Sequence, residues 1–159
     1  MAAKSTFSIE LAERDGVDIV ILAGVIDENA DLSVLATLGR RPVRFHMRGV
    51  RRINSYGVRS WVDAIRSIPG DAKLTFIHVP PPVIDQCNMV SGFLGRGMLE
   101  SFYAPMRCAE CDETIDRLFQ AEACRAIGGR LPQTPCPKCG RPMEVDDLEE
   151  QYLLFLRDG

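Results

Sequence analysis

The chain contains no apolar run approaching the roughly 20 residues that a membrane span needs, and its opening MAAKSTF has no apolar signal core. The expectation from these two absences is a cytoplasmic protein without a membrane contact. Catalytic patterns are missing as well. No Ser-His-Asp order, phosphate-binding loop or pair of catalytic carboxylates stands out, and the two histidines, His46 and His78, stand apart from other ligand types and read as ordinary strand residues. An enzyme is therefore not expected. Residues 105–159 also lack a basic, aromatic-rich face: they hold seven Lys+Arg against eleven Asp+Glu, whereas residues 1–104 hold twelve against eleven. Because affinity for nucleic acid comes mostly from cations that neutralise phosphates, the acidic half argues against a nucleic-acid partner.

What is present fits a soluble globular chain. With 159 residues, 46% hydrophobic and 26% charged, it has room for one domain of about 100 residues and a small annex. Its centre is residues 43–66, VRFHMRGVRRINSYGVRSWVDAIR. Val43, Phe45 and Met47 alternate with Arg44, His46 and Arg48, the period-2 pattern of a strand with one buried face. Val58, Trp61, Val62 and Ile65 then recur at helical spacing and leave Arg59, Asp63 and Arg66 outward. Between them, Asn54 or Ser55 is placed to cap the helix, and Gly57 allows close approach of a neighbouring backbone. A phosphate on Ser55 would meet the unpaired N–H groups and positive dipole end of that helix.

Upstream, Thr6 to Leu11 and Val17 to Ala23 read as strands around an Asp15-Gly16 turn, and Leu32, Leu35 and Leu38 mark a short helix capped by Asp31. Downstream, Leu74 to Val79 reads as a strand and Val83 to Val90 as a helix with Val83, Ile84, Cys87 and Val90 inward. Arg40, Arg41, Arg44, Arg48, Arg51 and Arg52 form a dense charge cluster, either a phosphate- or acid-binding surface near Ser55 or a solvated edge.

At the central turn the sequence resembles the STAS domain, the family of sulfate transporter cytoplasmic domains and anti-sigma factor antagonists. The family's turn has an Asp, a phosphorylatable Ser, a small Ser or Thr, a Gly and an apolar residue. The matching run is Asn54-Ser55-Tyr56-Gly57-Val58, with Asn54 in the place of the acid and Tyr56 in that of the small residue. Gly24-Val25-Ile26-Asp27 resembles the family's Gly-x-Ile/Leu-Asp motif, whose Asp lies beside the turn; read by itself, Asp27 is a turn-forming residue. The resemblance covers about residues 5–98 and implies an α/β sheet with helices on one face. It also implies regulation through Ser55 by a partner kinase, with a protein partner docked around Asp27, Asn54, Tyr56, Gly57, Arg51 and Arg52. The altered turn makes docking without phosphorylation an equal alternative.

Cys108-Ala-Glu-Cys111 and Cys136-Pro-Lys-Cys139-Gly140 are two C-x2-C knuckles that together supply four thiolates, as a structural zinc site requires. The competing reading is a dithiol redox site at Cys136 and Cys139, but Pro135 before it and Pro142 after it discourage the helix such a site begins. Cys87 reads as core, and Cys124 has no partner at knuckle spacing. After Asp146-Asp147, residues Leu148, Tyr152, Phe155 and Leu156 make a helix stripe, either packed on the rest of the chain or available to a partner.

These features predict a STAS-like domain over residues 1–104, followed over 105–159 by a zinc ribbon and a final helix. The expected function is a non-catalytic, bacterial-type signalling module of the anti-sigma-factor-antagonist kind, with Zn2+ in a structural role. The alternatives are a nucleic-acid-binding zinc ribbon and a dithiol redox protein.

Overall fold

The computed structural model of the chain describes residues 6–157. It is a mixed α/β structure with a five-stranded and a three-stranded sheet. Strands β1 (Ser8–Arg14) and β2 (Val17–Ile26) form an antiparallel hairpin. Asp15 and Gly16 both take positive φ, 53° and 79°, the backbone that matches a two-residue turn to the strands' twist. From β2 onward the sheet is parallel, through β3 (Val43–Ile53), β4 (Leu74–Ile77) and β5 (Met98–Leu99), in spatial order β1-β2-β3-β4-β5.

Strand β3 runs five residues past the alternating stretch, to Ile53, because its period breaks twice. The pairing with β2 shifts between Ile21 and Ala23 and again between Gly24 and Val25. Each bulge adds a residue to β3, so burial falls on Val43, Phe45 and Met47, then on Val50 and Ile53. The second bulge leaves Arg51 and Arg52 both exposed.

Helix α1 (Ser55–Ser67) lies on the buried face of β3, as its stripe predicts. Trp61 meets Phe45 edge-on at 5.8 Å between ring centroids, and Phe45 stacks on Phe76 of β4 at 4.8 Å. All three side chains are fully buried, and the Trp61 indole N–H donates to the carbonyl of Phe93 at 2.8 Å. Helix α2 (Pro81–Met89) buries Val83 and Ile84; Cys87 is half-buried against the same core, and burial pushes its thiol up to about 12. The expected helix around Leu35 is a single 3-10 turn, Ser33–Thr37. Asp31 accepts the Ser33 N–H at 3.0 Å, but Leu32 occupies the cap position itself.

One residue after β5 the chain enters β6 (Ser101–Arg107), which pairs antiparallel with β7 (Thr114–Gln120) and β8 (Glu144–Val145) in the order β7-β6-β8. Strand β6 crosses residues 104–105 without a break. Its start still follows the first sheet: Val79 donates to the Ser101 carbonyl at 3.1 Å and accepts from the Tyr103 N–H at 2.8 Å. Phe102 packs between Phe119 of β7 and Phe155, and a single buried cluster extends from Val20 to Leu156. Helix α3 (Ala121–Ala126) buries Cys124 completely.

The closing stripe forms one turn of helix, α4 (Glu149–Tyr152), and a 3-10 turn, Leu154–Leu156. It packs on the body of the protein: Tyr152, Leu153, Phe155 and Leu156 are buried. Asn88 of α2 clips it down, donating to the Tyr152 carbonyl and accepting the Phe155 N–H, both at 2.9 Å. The Tyr152 hydroxyl donates to the Tyr103 carbonyl. Among the described residues, no helix is long and apolar enough to cross a membrane.

Candidate metal centre and docking rim

Each cysteine pair sits at the tip of a hairpin. The first caps β6 and β7, beyond the Arg107–Thr114 pair; the second lies inside a bridge between Pro135 and Pro142. The two tips repeat one hydrogen-bond pattern. Cys108 donates to the Glu113 carbonyl at 2.9 Å and Cys136 to that of Arg141 at 2.7 Å; the Cys108 and Cys136 carbonyls accept from Asp112 and Gly140, each at 2.9 Å. Such a turn needs positive φ at the residue after the second cysteine. Gly140 supplies 77° without cost, while Asp112 adopts 60° and is held by Arg107 at 2.7 Å. Lys138 reaches Glu113 at 3.9 Å and ties one tip to the other.

The four sulfurs lie within 4.8 Å of one another, with Cys108 to Cys139 at 3.5 Å and Cys111 to Cys136 at 3.6 Å. A tetrahedron with metal–sulfur bonds of about 2.3 Å has edges of about 3.8 Å, so the four thiols fit one divalent ion and leave no position for a substrate. They are too far apart for disulfides, whose sulfurs stand about 2.05 Å apart. The four thiols are unequal. Burial raises Cys136, yet the N–H groups of Cys139 and Lys138 and the neighbouring sulfurs outweigh it and bring that thiol down to about 7. For Cys111 the Glu113 N–H pulls downward, but burial and the other three sulfurs push it up to about 12. A bound cation would require these thiols as thiolates and would displace their protons. A dithiol redox site would stand where a strand meets a helix; Cys139 instead sits in the second turn, and no helix follows it before Glu149.

The predicted rim residues meet at the end of β2 and the start of α1. Asn54 caps the helix, its Oδ1 accepting the Gly57 N–H at 2.8 Å, while its Nδ2 donates to Glu28 at 2.9 Å. Gly57 has to be glycine: a Cβ there would stand 1.9 Å from the Ile26 carbonyl oxygen. That close approach pins the helix start against the strand that delivers Asp27. Asp27 forms a turn, its Oδ1 accepting the Asn29 N–H at 2.9 Å and its carbonyl accepting from Ala30 at 3.1 Å. Ser55 is exposed as the first residue of α1, and Tyr56 beside it is 67% exposed. Asp27 also lines a groove of about 290 Å3, together with Phe7, Ile9, Asp31 and Val34.

The arginine cluster divides. Arg40, Arg41 and Arg44 are paired with Asp71, Asp18 and Glu100, Arg48 lies over the Tyr103 ring at 5.4 Å, and Arg51 and Arg52 face solvent near the rim. Glu28, Glu113, Asp112 and Arg107 were not legible as site residues, since their role depends on which turns face each other. A charged residue after the second cysteine of a knuckle is the one signal that could have drawn attention to Asp112. No protein family and no curated protein matches the chain.

Proposed function

We propose that the chain is a non-catalytic signalling module of the bacterial anti-sigma-factor-antagonist kind, docking a protein partner at the rim of a STAS-like domain. In this reading Ser55, Tyr56, Asn54, Gly57 and Asp27 form the contact, Arg51 and Arg52 extend it, and a partner kinase adds a phosphate at Ser55. The carrying observation is Tyr56, a large ring left 67% exposed at the helix start, immediately after an exposed serine. A ring so exposed is a residue type that dominates protein contacts. The four cysteines hold structural Zn2+ in a zinc ribbon. Their thiolates would complete the tetrahedron, and the ion stabilises the two hairpin tips without taking part in chemistry.

The test is quantitative capture from the protein's own source with wild type, Tyr56→Ala and Ser55→Ala, and native mass spectrometry of the same samples. A partner retained by wild type and lost with Tyr56→Ala supports docking at the rim. A phosphate present in wild type and missing from Ser55→Ala supports the switch; zinc without phosphate favours docking that is always on. A partner retained equally by all three proteins would sink the rim.

A further inference from the structure

The face of the first sheet opposite α1 carries a groove and a row of rings that the rim does not use. The groove, about 460 Å3, is lined by Ile19, Arg44 and Thr75, which are cross-strand neighbours on β2, β3 and β4, together with Arg14, Lys73 and the acids Asp15 and Glu100. Two residues further along β3, on the same face, His46 begins the row. Its ring meets His78 edge-on at 6.1 Å, His78 meets Tyr103 at 6.1 Å, and the Arg48 guanidinium lies 5.4 Å over Tyr103. The three rings are half-buried rather than sealed in the core. His78 takes a φ of +53°, its N–H donating to the buried Ser101 hydroxyl at 2.8 Å, so the turn out of β4 is held in an unusual backbone.

Along this groove and row the cations Arg14, Arg44, Arg48 and Lys73 outnumber the acids Asp15 and Glu100. Of the cations, Arg44 alone is paired, with Glu100 at 2.6 Å. Among the described residues, Arg14, Arg48 and Lys73 stand within ion-pair distance of no carboxylate, although the chain carries a net charge of −3. An acidic peptide would need only the cations. A ligand that uses both the cations and the rings has anionic groups along a backbone and flat π-faces beside it.

We infer that this face binds single-stranded nucleic acid, its phosphates held along Arg14, Lys73 and Arg48 and its bases placed against His46, His78 and Tyr103. A cationic groove that follows the backbone, with aromatic side chains beside it, is the combination that recognises single strands without regard to sequence. None of the residues named for this site lies in the acidic 105–159 half. The site is independent of the rim, and either can fail without the other.

The experiment is fluorescence anisotropy of short labelled oligo(dT) and oligo(U), titrated with the full, metal-loaded chain. Three phosphate contacts predict a log–log salt slope of about −2, a loss of roughly 20-fold in affinity between about 50 and 200 mM salt. Arg48→Glu and Lys73→Glu should each weaken binding several-fold, and Tyr103→Leu about fivefold or more through lost stacking. Glu100→Gln releases Arg44 and should tighten it. All four positions are exposed or half-buried, and matching circular dichroism spectra establish that the variants are folded. Failure to bind at low salt, binding indifferent to Arg48→Glu and Lys73→Glu, or equal binding of a polyglutamate peptide would each overturn the assignment, the last by making this a docking face for acidic protein.

Discussion

Cys108 and Cys136 occupy the same place in two copies of one turn. The N–H of each donates to the carbonyl five residues ahead, and the carbonyl of each accepts from the N–H four residues ahead. The backbone thus aims sulfurs from two distant parts of the sequence at one point.

From this pairing follows the first prediction. Native mass spectrometry should find one divalent ion per chain, and Cys136→Ser should remove it. At free metal about 100 times the dissociation constant the ion stabilises by about 2.7 kcal/mol, so a chelator should lower the melting temperature visibly. Gly140→Ala, at a φ of 77°, should retain the ion yet cost about 1 kcal/mol by forcing a side chain into left-handed backbone. Identical melting with and without chelator would refute a structural role for the site.

The helix start separates cap from packing. Asn54→Ala loses the side-chain bond to Gly57 and should cost about 1 kcal/mol in urea denaturation. Gly57→Ala places a methyl 1.9 Å from the Ile26 carbonyl oxygen and should cost about 3 kcal/mol by pushing α1 off β2. The order of these two costs is the checkable point.

Asn88 is predicted to act as a clip. Asn88→Ala strands the Tyr152 carbonyl and the Phe155 N–H, and should cost about 2 kcal/mol. Hydrogen exchange should rise over residues 148–157 and leave β2 and β3 protected. Uniform loss of protection would mean that the clip is inseparable from the core.

Stability should also depend on His46. Burial, then the charges of His78 and Arg44, hold its imidazole below the usual 6.5. At pH values above 6.5 the folded and unfolded chains both carry it neutral. As pH falls below that value the unfolded chain takes the proton first, so stability declines until the folded imidazole also titrates. Denaturation midpoints at neutral and mildly acidic pH should show the decline, and His46→Gln should reduce it. Asp85 has the opposite character: burial and then Asp147 raise its carboxyl, so it opposes folding once ionised, and Asp85→Asn should stabilise the protein at neutral pH.

Local patterns carried much of the fold. The alternation from Val43 to Arg48 and the stripe from Val58 to Ile65 are written in neighbouring residues, and both elements form where these place them. The bulges of β3 are not, because a register shift depends on what Ala23 and Gly24 allow across the sheet. Short elements such as β5, β8 and α3 hold too few residues to show a period. At the metal centre the spacing named all four cysteines, since a knuckle is a local device. The meeting of His46 with His78 was hidden, because 32 residues and one crossover separate them in the sequence. Their adjacency arises only once β3 and β4 lie side by side.

The Asn88 clip has a consequence for how the chain is made. The amide on α2 finds its partners at Tyr152 and Phe155, and Phe102 of β6 is covered by Phe155. During synthesis, then, Asn88 of α2 and Phe102 of β6 lack these partners until residue 155 has left the ribosome. A nascent chain stalled earlier should present that surface to chaperones, and release of the closing segment should be the event that ends the exposure.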